Sequence, residues 1–481
     1  MTLSDFNTLL PLIVLTVWAC ALLIVDLFIP KARKGLTALL AVFGLALTLG
    51  LTLAQFGDSS TGFSGMVILD GFSTFVNALL LVSGLLAIGL AYGYVKRMGL
   101  ERGEFYTLTL FSVTGMMLMA QAADLVIVFL ALELLSIPLY VLAAFARPQL
   151  DSEEAGMKYF LLGAFSAGFV VYGIALAYGA TGSTALSAII SAVAERSANL
   201  TLLTVGAALI LVGFGFKVAA VPFHMWTPDV YQGAPTAVTA FMAAGAKIAG
   251  FAALLRVFSL AFPSLAADLT PVLWALSMLT MVVGNLLAIS QTNIKRLLAY
   301  SSIAHAGYIL MAFVPFGNQE VQSVSVAAGL FYLVAYALTN FGSWGVVIAL
   351  EQKEGRGLEI SDYAGLGRKY PALAAAMTIF MLSLTGIPPT LGLVGKFYLF
   401  RAVMAGGYTG LAVIGVLTSL VSAYYYLRVV VTMYMREGEP EAMQESWLNL
   451  TWGLAAILTV VFSFVPSGLF AWASQAVLKL F

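Results

Sequence analysis

The chain has 481 residues, 61% of them hydrophobic and 10% charged, with 23 Lys and Arg balancing 23 Asp and Glu. Soluble domains carry about a quarter charged residues, so this composition, with a mean hydropathy of +0.98, excludes a soluble globular protein. A net charge of zero excludes a basic nucleic-acid footprint or an acidic tail, and no nucleic-acid partner is expected.

A helix needs ~20 apolar residues to cross a hydrocarbon core of about 30 Å. By that measure the chain holds about fourteen spans, near 9–29, 36–55, 72–95, 105–121, 124–146, 157–180, 202–220, 235–258, 271–290, 296–314, 323–350, 371–404, 409–434 and 449–477. The first has no basic segment before it and no small-residue cleavage site after it, so it is expected to be a retained span and not a signal peptide. The seventh continues as a short apolar piece to about Tyr231, and only Gln121 and Asp124 divide the fourth from the fifth. The expected class is an all-α integral membrane protein.

Charge sets the orientation. Lys31, Arg33, Lys34, Lys96, Arg97, Arg102, Arg147, Lys158, Lys295, Arg296, Lys353, Arg356, Arg368, Lys369 and Arg436 fall on one side of this map. The other side has Arg196, Lys479 and the helix-end residues Arg256 and Arg401. The positive-inside rule makes the rich side cytoplasmic and puts both termini outside. With one cysteine, Cys20, and two histidines, His224 and His305, neither a disulfide nor an iron–sulfur or cysteine-rich zinc site can form, and no cofactor or metal is expected in this chain.

Four ionisable residues lie far from any expected helix end: Glu133, Lys217, Lys247 and Lys396. Each uncompensated charge at mid-membrane costs about 2.5–3.5 kcal/mol even on lenient scales. One carboxylate cannot neutralise three ammoniums, and snorkelling fails at the membrane centre. Burial and neighbouring cations both disfavour a charged amine, so the arithmetic favours lysines that are neutral part of the time. Such a lysine is a proton carrier. His305, about ten residues into the tenth span, suits a link in a proton chain because imidazole titrates near neutral pH. The plainer reading of His305 is a hydrogen-bonded packing residue.

Two spans are interrupted. VPFHMWTPDVYQGAPT (221–236) follows Lys217 and contains Pro222, Pro228 and Pro235, with His224 in the break, where a structural hydrogen bond is the expected role. GIPPTLGLVGKFY (386–398) contains Pro388 and Pro389 and then Lys396. Irregular backbone at membrane depth is tolerated only inside protein or beside a wet cavity. A buried lysine next to each of two broken helices is a transporter pattern, although the two breaks are not sequence copies.

These two segments, together with SQTNIKRLLAYSSIAHAGY (290–308), resemble the antiporter-like subunits of the bacterial proton-pumping NADH–quinone oxidoreductase (respiratory complex I). Within that family the order W-T-P-D-V-Y-Q-G-A-P and the lysine at 396 resemble subunit N, and the similarity runs from about Glu104 to Arg428. The resemblance implies two inverted five-helix repeats with two discontinuous helices. The chain then divides into N-terminal helices 1–103, a first antiporter-like repeat 104–260, a second 271–436 and a C-terminal helix 437–481. It also implies a proton path through Glu133, Lys217, Lys247, His305 and Lys396, supported by Pro222, His224, Pro228, Pro388 and Pro389.

By resemblance the chain is a subunit of a translocase in the bacterial cell membrane. Its partners would be other membrane-arm subunits, including homologous ones, and lipid. The FMN, iron–sulfur clusters and quinone chemistry would belong to other subunits. The main rival is the large subunit of a multisubunit sodium/proton antiporter, which would use the same charges. A lipid- or quinone-modifying enzyme and a purely structural anchor are weaker: GFGFKV (213–218) lies inside an apolar helix and is no nucleotide fingerprint.

Overall fold

A computed structural model describes residues 3–476 and 478, so Lys479 lies outside the described residues. Long apolar runs become helices because a helix satisfies its own backbone donors and acceptors without water. The chain opens with α1 (Leu3–Asp26) and α2 (Gly35–Ala54), then a short antiparallel hairpin, β1 (Ser60–Gly62) and β2 (Val67–Leu69). Next come α3 (Gly71–Arg97), α4 (Gly103–Gln121), α5 (Leu125–Ala143), α6 (Leu150–Thr181), α7 (Leu186–Ala194) and α8 (Leu200–Val218). The centre holds α9 (Trp226–Gly233), α10 (Thr236–Phe241), α11 (Lys247–Ala261), α12 (Ala266–Ile289), α13 (Ile294–Leu310) and α14 (Gln319–Leu350). The rest is α15 (Leu366–Lys369), α16 (Pro371–Thr385), α17 (Leu391–Ala405), α18 (Thr409–Met435), α19 (Ser446–Phe464) and α20 (Pro466–Gln475).

Among the described residues, eleven helical stretches are long and apolar enough to cross a membrane. This is the architecture of an all-α, multi-pass membrane protein. Helices α4, α13, α16 and α17 have 19, 17, 15 and 15 residues and pack among the long ones. Polar residues between spans act as caps. Asp70 caps α3 in a reciprocal pair with Ser73, and Asp124, Asn199, Asn293 and Asn318 accept from the first turns of α5, α8, α13 and α14. Asp124 thus supplies the division between the fourth and fifth spans.

The stretch from α10 to α11 is wholly buried, and α14 wraps its long buried face around it. Helices α1, α2, α6, α18 and α19 form the periphery, with Val17, Phe43, Phe165, Leu420 and Ile457 turned outward. The closest pairings are α6 with α8, α12 with α13 and α4 with α5.

Three readings of the sequence change. The span expected over 449–477 is two helices, because Pro466 cannot continue α19 and instead starts α20. Arg256, read as a helix-end residue, is 1% exposed, and its two terminal nitrogens donate to the Asp70 carboxylate at 2.9 and 3.0 Å while its Nε donates to the Ala120 carbonyl. Lys295, counted on the charge-rich side, is buried and donates to the Ala234 carbonyl at 2.8 Å.

Candidate functional site: a buried lysine axis

Lys217 sits in the last turn of α8, which ends because Ala219 takes the left-handed conformation (φ 63°) just before Pro222. Its Nζ donates to Ser136 Oγ at 2.8 Å and to the Tyr159 hydroxyl at 3.3 Å. Lys247 opens α11 directly after a π-helical turn, Met242–Ala246, which shifts the register of the wholly buried helix. Its Nζ donates to the Ser302 carbonyl at 2.5 Å and hydroxyl at 2.6 Å. Lys396 lies in α17, beyond the break at Pro388 and Pro389, and reaches back to the Leu384 and Thr385 carbonyls at 3.0 and 2.9 Å and to Ser419 Oγ at 2.9 Å.

The three environments are alike. Each ammonium has a serine hydroxyl within 2.9 Å and a tyrosine ring within 5.6 Å, from Tyr159, Tyr336 and Tyr308 in turn. No carboxylate lies within ion-pair distance of any of them among the described residues. The partners are neutral oxygens, which accept from an ammonium but do not cancel its charge. For Lys217 and Lys396 the broken helices add the negative end of a helix dipole, at the C-termini of α8 and α16. The last carbonyls of α16 have no intrahelical donor, and Lys396 occupies two of them.

Glu133, in α5, is half-buried and makes no ion pair with Lys217, although each feels the other's charge. His305 is 3% exposed. Its Nδ1 is 2.7 Å from the Tyr332 hydroxyl and its Nε2 3.2 Å from that of Tyr426. Tyr426 in turn meets Ser301. Among the helix-break residues, the Val221–Pro222 and Pro388–Pro389 bonds are cis, and Pro228 is buried inside α9. The His224 ring is half-buried, and its Nδ1 is enclosed without a hydrogen-bond partner.

Linked through their neighbours, the lysines form one track. The Lys217 stem packs against Gly250, one turn along α11 from Lys247. Ser302, which holds Lys247, also accepts from the Tyr336 hydroxyl at 2.8 Å. The Tyr336 ring lies 5.4 Å from that of His305, and the His305 ring 5.6 Å from that of Tyr308. The Tyr308 hydroxyl accepts from Ser419, which accepts from Lys396.

A family model described as "NADH:quinone oxidoreductase/Mrp antiporter, TM" matches residues 122–422. The chain belongs to that family. The matched stretch takes in Glu133, Lys217, Lys247, His305 and Lys396. NADH-quinone oxidoreductase subunit N of Trichlorobacter lovleyi is 47% identical over 480 residues, 98% of this chain and 97% of that relative. The subunit N of Chloroflexus aggregans is 47% identical, covering 99% and 98%. A chain of respiratory complex I from Thermus thermophilus superposes with a TM-score of 0.83 at 38% identity, covering 96% of this chain and 99% of that one. The Mrp complex from Dietzia sp. contains a chain with the same fold, at TM-score 0.86 and 20% identity, covering 99% and 97%.

Reading the sequence for ionisable residues missed the hydroxyls around these lysines and His305: Ser136, Tyr159, Ser302, Tyr308, Tyr332, Tyr336, Ser419 and Tyr426. A signal was present. Tyr332, Tyr336 and Asn340 recur every fourth residue of an otherwise apolar α14, which puts them on one helical face.

Proposed function

We propose that this chain is an antiporter-like membrane-arm subunit of an NADH–quinone oxidoreductase and carries protons along the axis Glu133, Lys217, Lys247, His305 and Lys396. The observation that carries this reading is the track itself: three buried ammoniums, none ion-paired among the described residues, with Lys217 packed against the helix of Lys247 and hydroxyls and an imidazole between Lys247 and Lys396. Full-length relatives named subunit N support this assignment over a sodium/proton antiporter subunit.

In this reading α4, α13 and the α16–α17 pair join the eleven long stretches to make fourteen spans, with α9 continuing the span of α8. Residues 104–260 and 271–436 form two inverted five-helix repeats, flanked by helices 1–103 and 437–481. The lysine- and arginine-rich end faces the cytoplasm of a bacterium, and both termini face outward. Neighbouring membrane-arm subunits contact the outer helices, and electron transfer in other subunits drives the cycle.

The chemistry uses only N–H and O–H bonds. When Glu133 and Lys217 approach, the carboxylate stabilises the ammonium; when a neighbouring subunit draws them apart, that stabilisation is lost and Lys217 releases its proton toward Lys247. From there it passes by Ser302, Tyr336 and the His305 region to Lys396, which discharges it outward. In vesicles carrying the whole complex, Lys217→Ala and Glu133→Ala should each depress NADH-driven proton translocation. An unchanged proton-to-electron ratio in both variants would sink the proposal. A sodium-dependent pH change without any quinone oxidoreductase would favour the antiporter reading.

A further inference from the structure

The axis lies deep in the protein, and something must connect it to water on the lysine-rich side. We propose that Glu351 is the residue that takes up protons from that side and passes them through Tyr94 and the broken segment α9–α10 to Lys247. The inference rests on the reading of the chain as a proton carrier.

Glu351 follows the last turn of α14 and is 7% exposed. A lone carboxylate so buried is expensive, and it makes no ion pair among the described residues. Its Oε1 accepts from the Tyr94 hydroxyl at 3.4 Å, while its Oε2 is enclosed without a partner. The Tyr363 hydroxyl and Thr236 Oγ1 nearby are enclosed and unpartnered too. These two atoms and the carboxylate's own Oε2 make a place for ordered water, since buried polar groups are otherwise nearly always hydrogen-bonded. Lys295 and Tyr363 lie within electrostatic reach of Glu351.

On the solvent side, Leu350 and Gln352, the residues flanking Glu351, line a surface pocket of ≈ 390 Å³. Asp362, Glu439 and Glu441 on its wall favour cations, Arg356 being the opposing charge. On the inner side, the Tyr94 hydroxyl accepts from the Thr236 backbone N–H at 3.0 Å. Thr236 starts α10, and Thr239 one turn on donates to the Tyr231 carbonyl at 3.1 Å. The Tyr231 side chain faces the Ser302 hydroxyl, which holds Lys247. Pro228 and Pro235 around α9 therefore have a use beyond kinking: the interrupted helix brings Thr236 and Tyr231 between the carboxylate and the lysine. One proton forms an O–H bond on the Glu351 carboxylate; each hydroxyl or ordered water beyond it gains one proton and gives up its own, until a neutral Lys247 amine gains its third N–H bond.

The test compares vesicles carrying the whole complex with the parent chain, Glu351→Gln, Glu351→Asp, Tyr94→Phe and Lys217→Ala. Glu351→Gln should lower the initial rate of NADH-driven proton translocation by roughly tenfold. Glu351→Asp should recover most of that loss, which a merely structural role for the carboxylate's length would not allow. Tyr94→Phe, which removes one hydroxyl, should also slow translocation, and decides the matter alone if Glu351→Gln does not assemble. Parent rates in Glu351→Gln and Tyr94→Phe, with Lys217→Ala impaired, would overturn the entry route and leave the axis standing. Parent rates in all three would overturn the proton-carrier reading and this inference with it.

Discussion

Lys217, Lys247 and Lys396 share one chemical arrangement although they come from different helices. A serine oxygen lies against each ammonium with a tyrosine ring nearby, and among the described residues no carboxylate touches it. Neutral acceptors leave both protonation states hydrogen-bonded: the ammonium donates to the serine, and the neutral amine can accept from it. An aspartate in the same place would hold the charged form too firmly to release a proton. Arginine would fail for a related reason, because its guanidinium stays protonated under all ordinary conditions. Lys247→Arg is therefore expected to keep the positive charge yet lower proton translocation by roughly tenfold or more, read as the initial rate of acidification in energised vesicles. Ser302→Ala, which removes one of two oxygens on Lys247 and leaves the backbone carbonyl, should have a smaller effect in the same assay. Equal losses in the two variants would mean that hydrogen bonding, and not loss of the proton, governs Lys247.

Around His305 the helices meet through very close backbone approaches. A Cβ added at Gly284 of α12 would lie 2.6 Å from the Ala304 nitrogen, and one at Gly307 of α13 would lie 2.6 Å from the Met281 nitrogen. Small residues at such crossings let membrane helices pack backbone to backbone. The crossing sits beside His305, so its geometry positions the middle of the track. Gly307→Ala should push α12 from α13 and cost about 1–3 kcal/mol, seen as a lower melting temperature in detergent and weakened proton translocation. The Asp70–Arg256 pair acts similarly at the other end, tying the start of α3 to α11 and, through Ala120, to α4. Asp70→Ala would leave a buried guanidinium uncompensated, at a cost of about 3–5 kcal/mol, and should reduce the amount of assembled protein recovered from membranes. Recovery equal to the parent would show that Arg256 finds another acceptor.

Across the whole molecule, legibility followed the kind of force at work. Spans were readable because each needs a long apolar run, and the lysine breaks because Pro222, Pro388 and Pro389 interrupt helices wherever they occur. The burial of Arg256 and Lys295 is not legible because their partners, Asp70 and the Ala234 carbonyl, are 186 and 61 residues away and no local pattern announces them. The π-turn before Lys247 was invisible for the same reason: MAAGA is ordinary helix by composition, and only packing shifts its register. The charge asymmetry was legible and carries a consequence for the entire fold. Arg196, exposed after α7, and Glu437, exposed after α18, should lie on opposite faces of the membrane. Starting from Cys20→Ser, which removes the single native thiol, Arg196→Cys should react with a membrane-impermeant maleimide in spheroplasts. Glu437→Cys should react only in inverted vesicles. The reverse pattern would turn the molecule over, placing the Glu351 pocket on the outer face and reversing the direction in which the lysine track delivers its proton.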